Sequence, residues 1–194
     1  QEPGRSFSYS NAGFNLLELL VEEVTGRDFA EYMRTEVLVP LGMRNSSYEW
    51  NAEMRPPVPP GHDTNGRAVP VYVYPEKAAG GLFSTVGDIA AFVTAGMTRF
   101  SHERHDVLSA RSIAALYAPR VKIPGLYGLA FDAYGFGHFI ERFSDGTFAV
   151  SHGGQGTGWM THFHSVPGTG DGIVILTNSQ RSWPFFAEIL GDWA

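Results

Sequence analysis

The chain has 194 residues, 43% hydrophobic and 18% charged, a composition typical of a globular domain rather than a disordered segment. With 14 Lys and Arg against 20 Asp and Glu, the formal charge is -6, which gives no electrostatic reason to bind nucleic acid or an anionic membrane. The lack of cysteine excludes disulfides and a cysteine nucleophile in these residues, and no apolar run reaches the roughly 18 residues that a membrane span needs.

The N-terminal part of the sequence predicts two helices. The first is expected to begin near Asn11 and to stop at Gly26, with apolar residues at helical spacing. The apolar residues that fall on one face are Phe14, Leu17, Leu20, Val21 and Val24. Asp28 is a predicted N-cap for the second helix, and Glu31 follows three residues later in a capping-box arrangement. A turn at residues 40–43 is expected to end that helix.

Residues 44–78 predict a long irregular segment. Four prolines lie between positions 56 and 60, and Asn65-Gly66 is a turn signal. The residues from Val69 to Tyr74 favour β-structure but include Pro70, so they predict at most an edge strand. Aromatic side chains suggest that the segment packs against the domain as the wall of a cleft; they are Tyr48, Trp50, Tyr72 and Tyr74.

The C-terminal half predicts two helices, a run of strands and a final helix. Thr85 with Asp88 is a capping pair after Gly80-Gly81, and Ser109 predicts the cap of a fourth helix. The candidate strands are Tyr127–Asp132, Phe136–Phe143, Thr147–Ser151, Trp159–Val166 and Ile173–Asn178, followed by a helix over Trp183–Trp193. Helices followed by strands predict an α+β fold with helices packed on an antiparallel sheet, in one domain over residues 1–194.

Three further patterns favour no cofactor and no metal. The glycine-rich stretch 153–158 lacks the Lys-Ser/Thr of a phosphate-binding loop, which argues against nucleotide binding. His162 and His164 share a strand face but lack an obvious third ligand, so a structural role is expected. The stretch His102–His105 does not match a zinc-protease motif and is expected to be a solvated turn.

Four sequence blocks occur in a recognisable order. They are Tyr-Ser-Asn at 9–11, Val-Thr-Gly-Arg-Asp-Phe with Pro-Leu-Gly-Met at 24–43, Ala-Gly-Gly-Leu-Phe-Ser-Thr at 79–85, and Ser-His-Gly-Gly-Gln-Gly-Thr-Gly-Trp at 151–159. Together they resemble segments of the penicillin-recognising serine hydrolases, which include class C β-lactamases, DD-peptidases and related esterases. The resemblance extends over about residues 6–178 and implies a DD-peptidase/β-lactamase-like fold.

The resemblance implies a role for each matching residue. Tyr9 would take the proton from a nucleophilic serine and return it to the leaving group, a task that requires nearby cations because a phenol ordinarily keeps its proton. Asn11 would hydrogen-bond the substrate carbonyl or the catalytic lysine, and the backbone N–H of Gln155 would contribute to the oxyanion hole. His152 would line the cleft. The expected substrate-binding glycines are Gly153, Gly154, Gly80 and Gly81, the first two because they allow close backbone approach.

His152 stands where many relatives have a lysine. A lysine is a permanent cation suited to a substrate carboxylate, whereas a histidine can be neutral near pH 7. This departure argues against a dedicated β-lactamase and favours an esterase, a peptidase or a D-amino-acid amidase.

The nucleophile motif of these hydrolases, Ser-x-x-Lys, does not occur in this sequence. The only two lysines are Lys77 and Lys122, and the residues three positions earlier are Tyr74 and Pro119. In the relatives the motif precedes the tyrosine motif. The sequence is therefore expected to be the C-terminal portion of a catalytic domain whose N-terminal part is missing, and to form no acyl-enzyme by itself.

Two hypotheses follow for function. In the first, the full-length protein cleaves an amide or ester through a serine acyl-enzyme, with a β-lactam, a D-amino-acid peptide or a small ester as substrate. In the second, the chain is a non-catalytic binding or scaffold module without a nucleophile. The strand near Ile173–Asn178 is expected to present an unpaired edge, to be covered by an N-terminal segment or by a second copy in a homodimer. The resemblance also favours a periplasmic or extracellular location.

Overall fold

The computed structural model describes residues 2, 4–51, 54, 57–97 and 107–193, except the side chain of Tyr127. The stretch 102–105, interpreted as a turn, lies outside these residues. Contacts divide the chain into two compact units. Unit 1 comprises residues 1–10, 90–152 and 163–173, and unit 2 comprises residues 11–89, 153–162 and 174–194. The expectation of a single domain over residues 1–194 stays a prediction.

The helices and strands follow one another largely as the sequence predicts. The helices are α1 (Asn11–Thr25), α2 (Phe29–Met33, extended by a π-helical turn over Arg34–Leu38), α3 (Lys77–Gly80), α4 (Val86–Ala95), α5 (Ala110–Tyr117) and α6 (Trp183–Trp193). The strands are β1 (Gly61–His62), β2 (Ala68–Val69), β3 (Val121–Lys122), β4 (Ala133–Tyr134), β5 (Phe139–Arg142), β6 (Phe148–Gly156), β7 (Trp159–Val166) and β8 (Asp171–Thr177). A 3₁₀ helix spans Gly125–Leu129.

The main sheet has six strands in sequence order, from β3 to β8. The pairs from β3 to β6 are antiparallel, with Phe139 opposite Ser151 and Arg142 opposite Phe148 in the β5–β6 hairpin. Among the described residues, no strand pairs with the outer side of β8. That another segment covers this edge stays a prediction. The α+β fold with helices and an antiparallel sheet is confirmed.

Predicted capping residues define several helix starts. The Asp28 carboxylate accepts from the backbone N–H of Glu31 at 3.1 Å at the start of α2. The Ser109 hydroxyl accepts from the N–H of Ser112 at 3.1 Å at the start of α5. Such caps satisfy N–H groups that lack a partner in the first helical turn, so these short local patterns were sufficient to locate the helices.

The predicted strand Tyr127–Asp132 is wrong, because the 3₁₀ helix and a turn occupy most of it. Gly125 has a φ of +69°, a conformation that glycine adopts readily and other residues rarely do. A Cβ at Gly128 would lie 2.4 Å from the carbonyl oxygen of Ile123. The two glycines permit this tight winding, and the strand begins only at Ala133.

The apolar face of α1 is largely exposed. Every residue of the helix is at least partly exposed, and Leu16, Leu20 and Val24 are 67%, 55% and 75% exposed. The polar side of α1 faces α2 and α3 instead. There Glu18 Oε2 accepts from the N–H of Ala78 at 2.7 Å, and Glu22 Oε1 accepts from the N–H of Phe29 at 3.0 Å. These carboxylates bind first-turn N–H groups of α3 and α2, so charge rather than apolar burial orients the helix.

Each unit has its own apolar core. In unit 1, Ala133, Ile140 and Val150 are buried and pack with Tyr117 and Phe148. In unit 2, α6 contributes Phe186, which is 1% exposed and has its ring centroid 6.4 Å from that of His162. Burial of such side chains is the main stabilising contribution to each unit.

Two histidines of unit 1, the buried His138 and the half-buried His164, predict an acid-sensitive fold. Burial lowers the pKa of both His138 and His164 from the ordinary value near 6.5. Below about pH 6.5 the unfolded chain therefore binds more protons at these histidines than the native chain does. The free energy of unfolding should fall as the pH drops below about 6.5.

Urea unfolding between about pH 8 and pH 5.5 measures this dependence. The double variant His138→Gln/His164→Gln should show a flatter pH dependence than the wild type, whatever its stability at pH 8. An unchanged pH dependence in the double variant would contradict the assignment of the effect to these histidines.

Candidate active site

Tyr9 and His152, two of the predicted site residues, lie together in unit 1. Their rings are nearly parallel, with centroids 6.0 Å apart and an interplanar angle of 28°. Tyr9 precedes α1 and is 54% exposed, whereas His152 lies within β6 and is half-buried. The phenol is therefore accessible to a substrate while its ring rests against the imidazole of the other motif.

Tyr134 is a third member of this site, and the sequence reasoning missed it. Its Oη lies 3.2 Å from Nε2 of His152, within hydrogen-bond distance. Burial, together with the nearby Tyr9, raises the pKa of Tyr134 to about 12. The Tyr134 hydroxyl therefore keeps its proton throughout the physiological pH range.

An aromatic cluster supports the three site residues. It consists of Phe7, Tyr134 and Phe139. The Phe7 ring centroid is 5.2 Å from that of Tyr134, and the Phe139 centroid is 4.9 Å from Tyr134 and 5.5 Å from His152. Edge-to-face and tilted contacts at these distances stabilise ring orientations. Because Phe7 is two residues before Tyr9, its packing fixes the segment that carries the phenol.

His138 lies near this site but is held in a structural role. Its Nδ1 donates to the carbonyl oxygen of Phe136 at 2.8 Å, and its ring packs edge-on against Tyr117 at 5.1 Å and Phe163 at 5.8 Å. A nearby His152 adds to the effect of burial in lowering the pKa of His138. The ring is therefore neutral near pH 7.

The other predicted site residues belong to unit 2. Asn11 is the exposed first residue of α1, and Gln155 is exposed near the end of β6. Gly153 and Gly154 are also exposed and precede Gln155 in β6. Gly80 is the last residue of α3. Their roles in catalysis and substrate binding stay predictions.

Packing provides a second reason for some of these glycines. A Cβ at Gly154 would lie 2.7 Å from Oγ1 of Thr161 on β7, and one at Gly81 would lie 2.8 Å from Cα of Lys77. Gly81 is buried at the C-terminal end of α3. A side chain at these positions would disturb neighbouring residues even without a substrate.

The segment predicted to form a wall makes aromatic contacts within unit 2. Tyr48 packs edge-on against Phe29 with centroids 5.1 Å apart, and Tyr72 packs against Tyr74 at 4.8 Å. The hydroxyl of Tyr74 accepts from the backbone N–H of Thr157 at 3.3 Å. These contacts tie the segment to the turn that follows β6.

The described residues contain no group of three or more His, Asp or Glu side chains placed to hold a metal ion. None of the helices in that part of the chain has the length and apolar character needed to cross a bilayer.

The α+β fold, with helices and an antiparallel sheet, is that of the DD-peptidase/β-lactamase class. The model of the beta-lactamase family matches residues 1–190, and the chain belongs to this family.

Three similar proteins illustrate the relationship. Penicillin-binding protein 4 of Amycolatopsis lactamdurans is 28% identical, over 99% of this chain and 53% of its own length. The D-aminopeptidase of Gluconobacter oxydans is 27% identical, over 91% of this chain and 32% of its own length. The structure of the octameric penicillin-binding protein homologue from Pyrococcus abyssi superposes with a TM-score of 0.82 at 29% identity, over 98% of this chain and 44% of that one. The chain thus spans about half the length of these relatives or less.

Proposed function

We propose that this chain supplies the tyrosine and histidine motifs of a serine hydrolase that cleaves an amide or ester through a serine acyl-enzyme. The observation that carries the proposal is the stacking of Tyr9 on His152, with ring centroids 6.0 Å apart. Two motifs separated by more than 140 residues are in contact, with the phenol exposed.

In the proposed reaction, Tyr9 moves one proton. The hydroxyl oxygen of a serine supplied by the complete protein bonds to the substrate carbonyl carbon while the serine proton passes to the oxygen of Tyr9, which acts in its deprotonated form. Collapse of the tetrahedral intermediate breaks the bond to the leaving group, which receives that proton from Tyr9. Water then attacks the acyl-enzyme by the same route in reverse.

The substrate class follows from the residue at position 152. A histidine supplies a hydrogen-bonding group of variable charge rather than the permanent cation of a lysine. This favours a small ester or a D-amino-acid peptide over specialised recognition of a β-lactam carboxylate. The name of one relative, D-aminopeptidase, agrees with that choice.

Two exposed surfaces support completion of the site by another polypeptide segment. One is the apolar side of α1, where Leu16 is 67% and Val24 is 75% exposed. The other is the outer edge of β8. An apolar helix face and an open strand edge are both unfavourable in water and favourable as association surfaces. The proposed occupant is the segment with the Ser-x-x-Lys motif, and a second copy in a homodimer is the alternative.

Intact mass spectrometry with a fluorophosphonate probe tests the function. The complete protein should gain the mass of one phosphonyl group on a serine of the Ser-x-x-Lys segment, whereas this 194-residue chain alone should not. A separate fragment that co-purifies with the chain and takes the label would equally support an assembled hydrolase. Labelling of a serine within this chain would overturn the proposed division of the site. No labelling of the complete protein would favour the non-catalytic module.

A further inference from the structure

We propose that Tyr134 is a positioning residue for His152: its hydroxyl donates a hydrogen bond to Nε2 and so holds the imidazole with its proton on Nδ1. The inference deepens the proposed function and rests on it for its catalytic consequence, but the hydrogen bond itself can be measured without any activity. It assigns to β4 a residue of the site that lies outside the recognised motifs.

The geometry permits this hydrogen bond, and the proton that the phenol retains supports Tyr134 as its donor. Oη and Nε2 are 3.2 Å apart, and the two ring planes are inclined at 63° with centroids 6.3 Å apart. The phenol meets the edge of the imidazole, where the nitrogen lone pair lies, rather than its face. Tyr134 keeps its proton, because burial raises its pKa, and it can therefore act as a donor at every pH at which the ring is neutral.

Neighbouring residues hold both partners in place. The β3–β4–β5–β6 pairing sets Tyr134 opposite Phe139 and Phe139 opposite Ser151, the residue before His152. Phe7 and Phe139 contact the Tyr134 ring, and Tyr9 covers one face of His152. Titratable groups near the imidazole include Tyr9, Tyr134 and the buried His138.

The choice of tautomer determines what His152 offers to a substrate. With Nε2 accepting from Tyr134, the ring proton lies on Nδ1, which is then the N–H donor of the ring. Loss of the Tyr134 hydroxyl would release the ring to exchange protons between its nitrogens and to rotate. Catalysis would then require the right tautomer to be selected in each turnover.

Nitrogen-15 NMR of the histidine rings tests the assignment in the 194-residue chain. At about pH 8.5, roughly two units above the reference value for histidine, protonated and bare ring nitrogens have clearly different shifts. A His152→Gln spectrum identifies the resonances of His152. The wild type should show Nδ1 protonated and Nε2 bare, and Tyr134→Phe should shift the equilibrium towards an Nε2 proton. Tyr117→Phe, which removes another buried phenol of unit 1, should leave the His152 shifts unchanged.

Two outcomes would overturn the proposal. One is a protonated Nε2 in the wild type, which decides the question even if Tyr134→Phe does not fold. The other is identical His152 shifts in the wild type and a folded Tyr134→Phe variant. In the complete protein, Tyr134→Phe should slow probe labelling about threefold to tenfold, the effect of one neutral hydrogen bond. A complete protein that takes no label would refute the hydrolase proposal and leave the NMR result intact.

Discussion

Replacement of Tyr9 with phenylalanine in the complete protein is expected to slow acyl-enzyme formation by about 10²- to 10⁴-fold. The substitution removes the atom proposed to carry the serine proton, and a positioned general base typically contributes a factor of this size. The ring remains, so its stacking on His152 should persist. Because Tyr9 is 54% exposed, the loss of its hydroxyl should leave the free energy of unfolding nearly unchanged.

Single-turnover labelling with an ester substrate measures the effect. Tyr32→Phe is the matched control: Tyr32 lies in α2, where its ring faces the Arg27 guanidinium at 5.5 Å, and the same hydroxyl is lost without any proposed role in the reaction. A Tyr9→Phe protein that acylates within about threefold of the wild type would show that another group accepts the serine proton. A parallel loss in the control would point to instability instead.

The largest expected loss of stability comes from Phe186→Ala in α6. Phe186 is 1% exposed, and removal of a buried phenyl ring costs about 3–5 kcal/mol through lost apolar transfer and the cavity that remains. Since many domains have a total free energy of unfolding of about 5–15 kcal/mol, the variant should be close to unfolding at 37 °C. Urea unfolding followed by circular dichroism gives the difference from the wild type.

The neighbouring phenylalanine provides the control for this experiment. Phe185 lies in the same helix and is 49% exposed, so Phe185→Ala makes the same chemical change with little change in burial. It should alter stability by no more than about 0.5 kcal/mol, and any gain in helix propensity is shared by both variants. Equal losses in the two variants would mean that α6 does not hold Phe186 in the core.

Local structure was predictable from the sequence because local rules determine it. The starts of α2 and α5 follow from the hydrogen-bonding capacity of Asp28 and Ser109, and the hairpin between β7 and β8 follows from alternating apolar residues around a Pro-Gly turn. The contact between Tyr9 and His152 was accessible only through family resemblance. No periodicity relates two residues so far apart in the sequence.

Features that depend on register or on distant partners escaped prediction. Tyr134 joins the site because β4 pairs with β5 and β5 with β6, and pairing registers cannot be deduced from the composition of single strands. The exposure of the apolar face of α1 was not predicted either, because hydrogen bonds to other helices orient this helix. Its apolar spacing correctly predicted a helix. The carboxylates of Glu18 and Glu22, however, determine which side of the helix faces α3 and α2.

Substitutions on the exposed apolar face of α1 should have opposite effects in the isolated chain and in the complete protein. In this chain alone, Leu16→Glu and Leu20→Glu would replace exposed apolar surface with charge and should raise solubility without loss of internal contacts. If the proposed upstream segment covers the helix, the same substitutions would place unpaired carboxylates in a buried interface. A library of the isolated polypeptide that is selected for solubility would therefore be enriched in charged substitutions on this face. A selection of the complete protein for hydrolysis would remove the same substitutions. Engineering of this family member should be carried out only in the context of its complete chain.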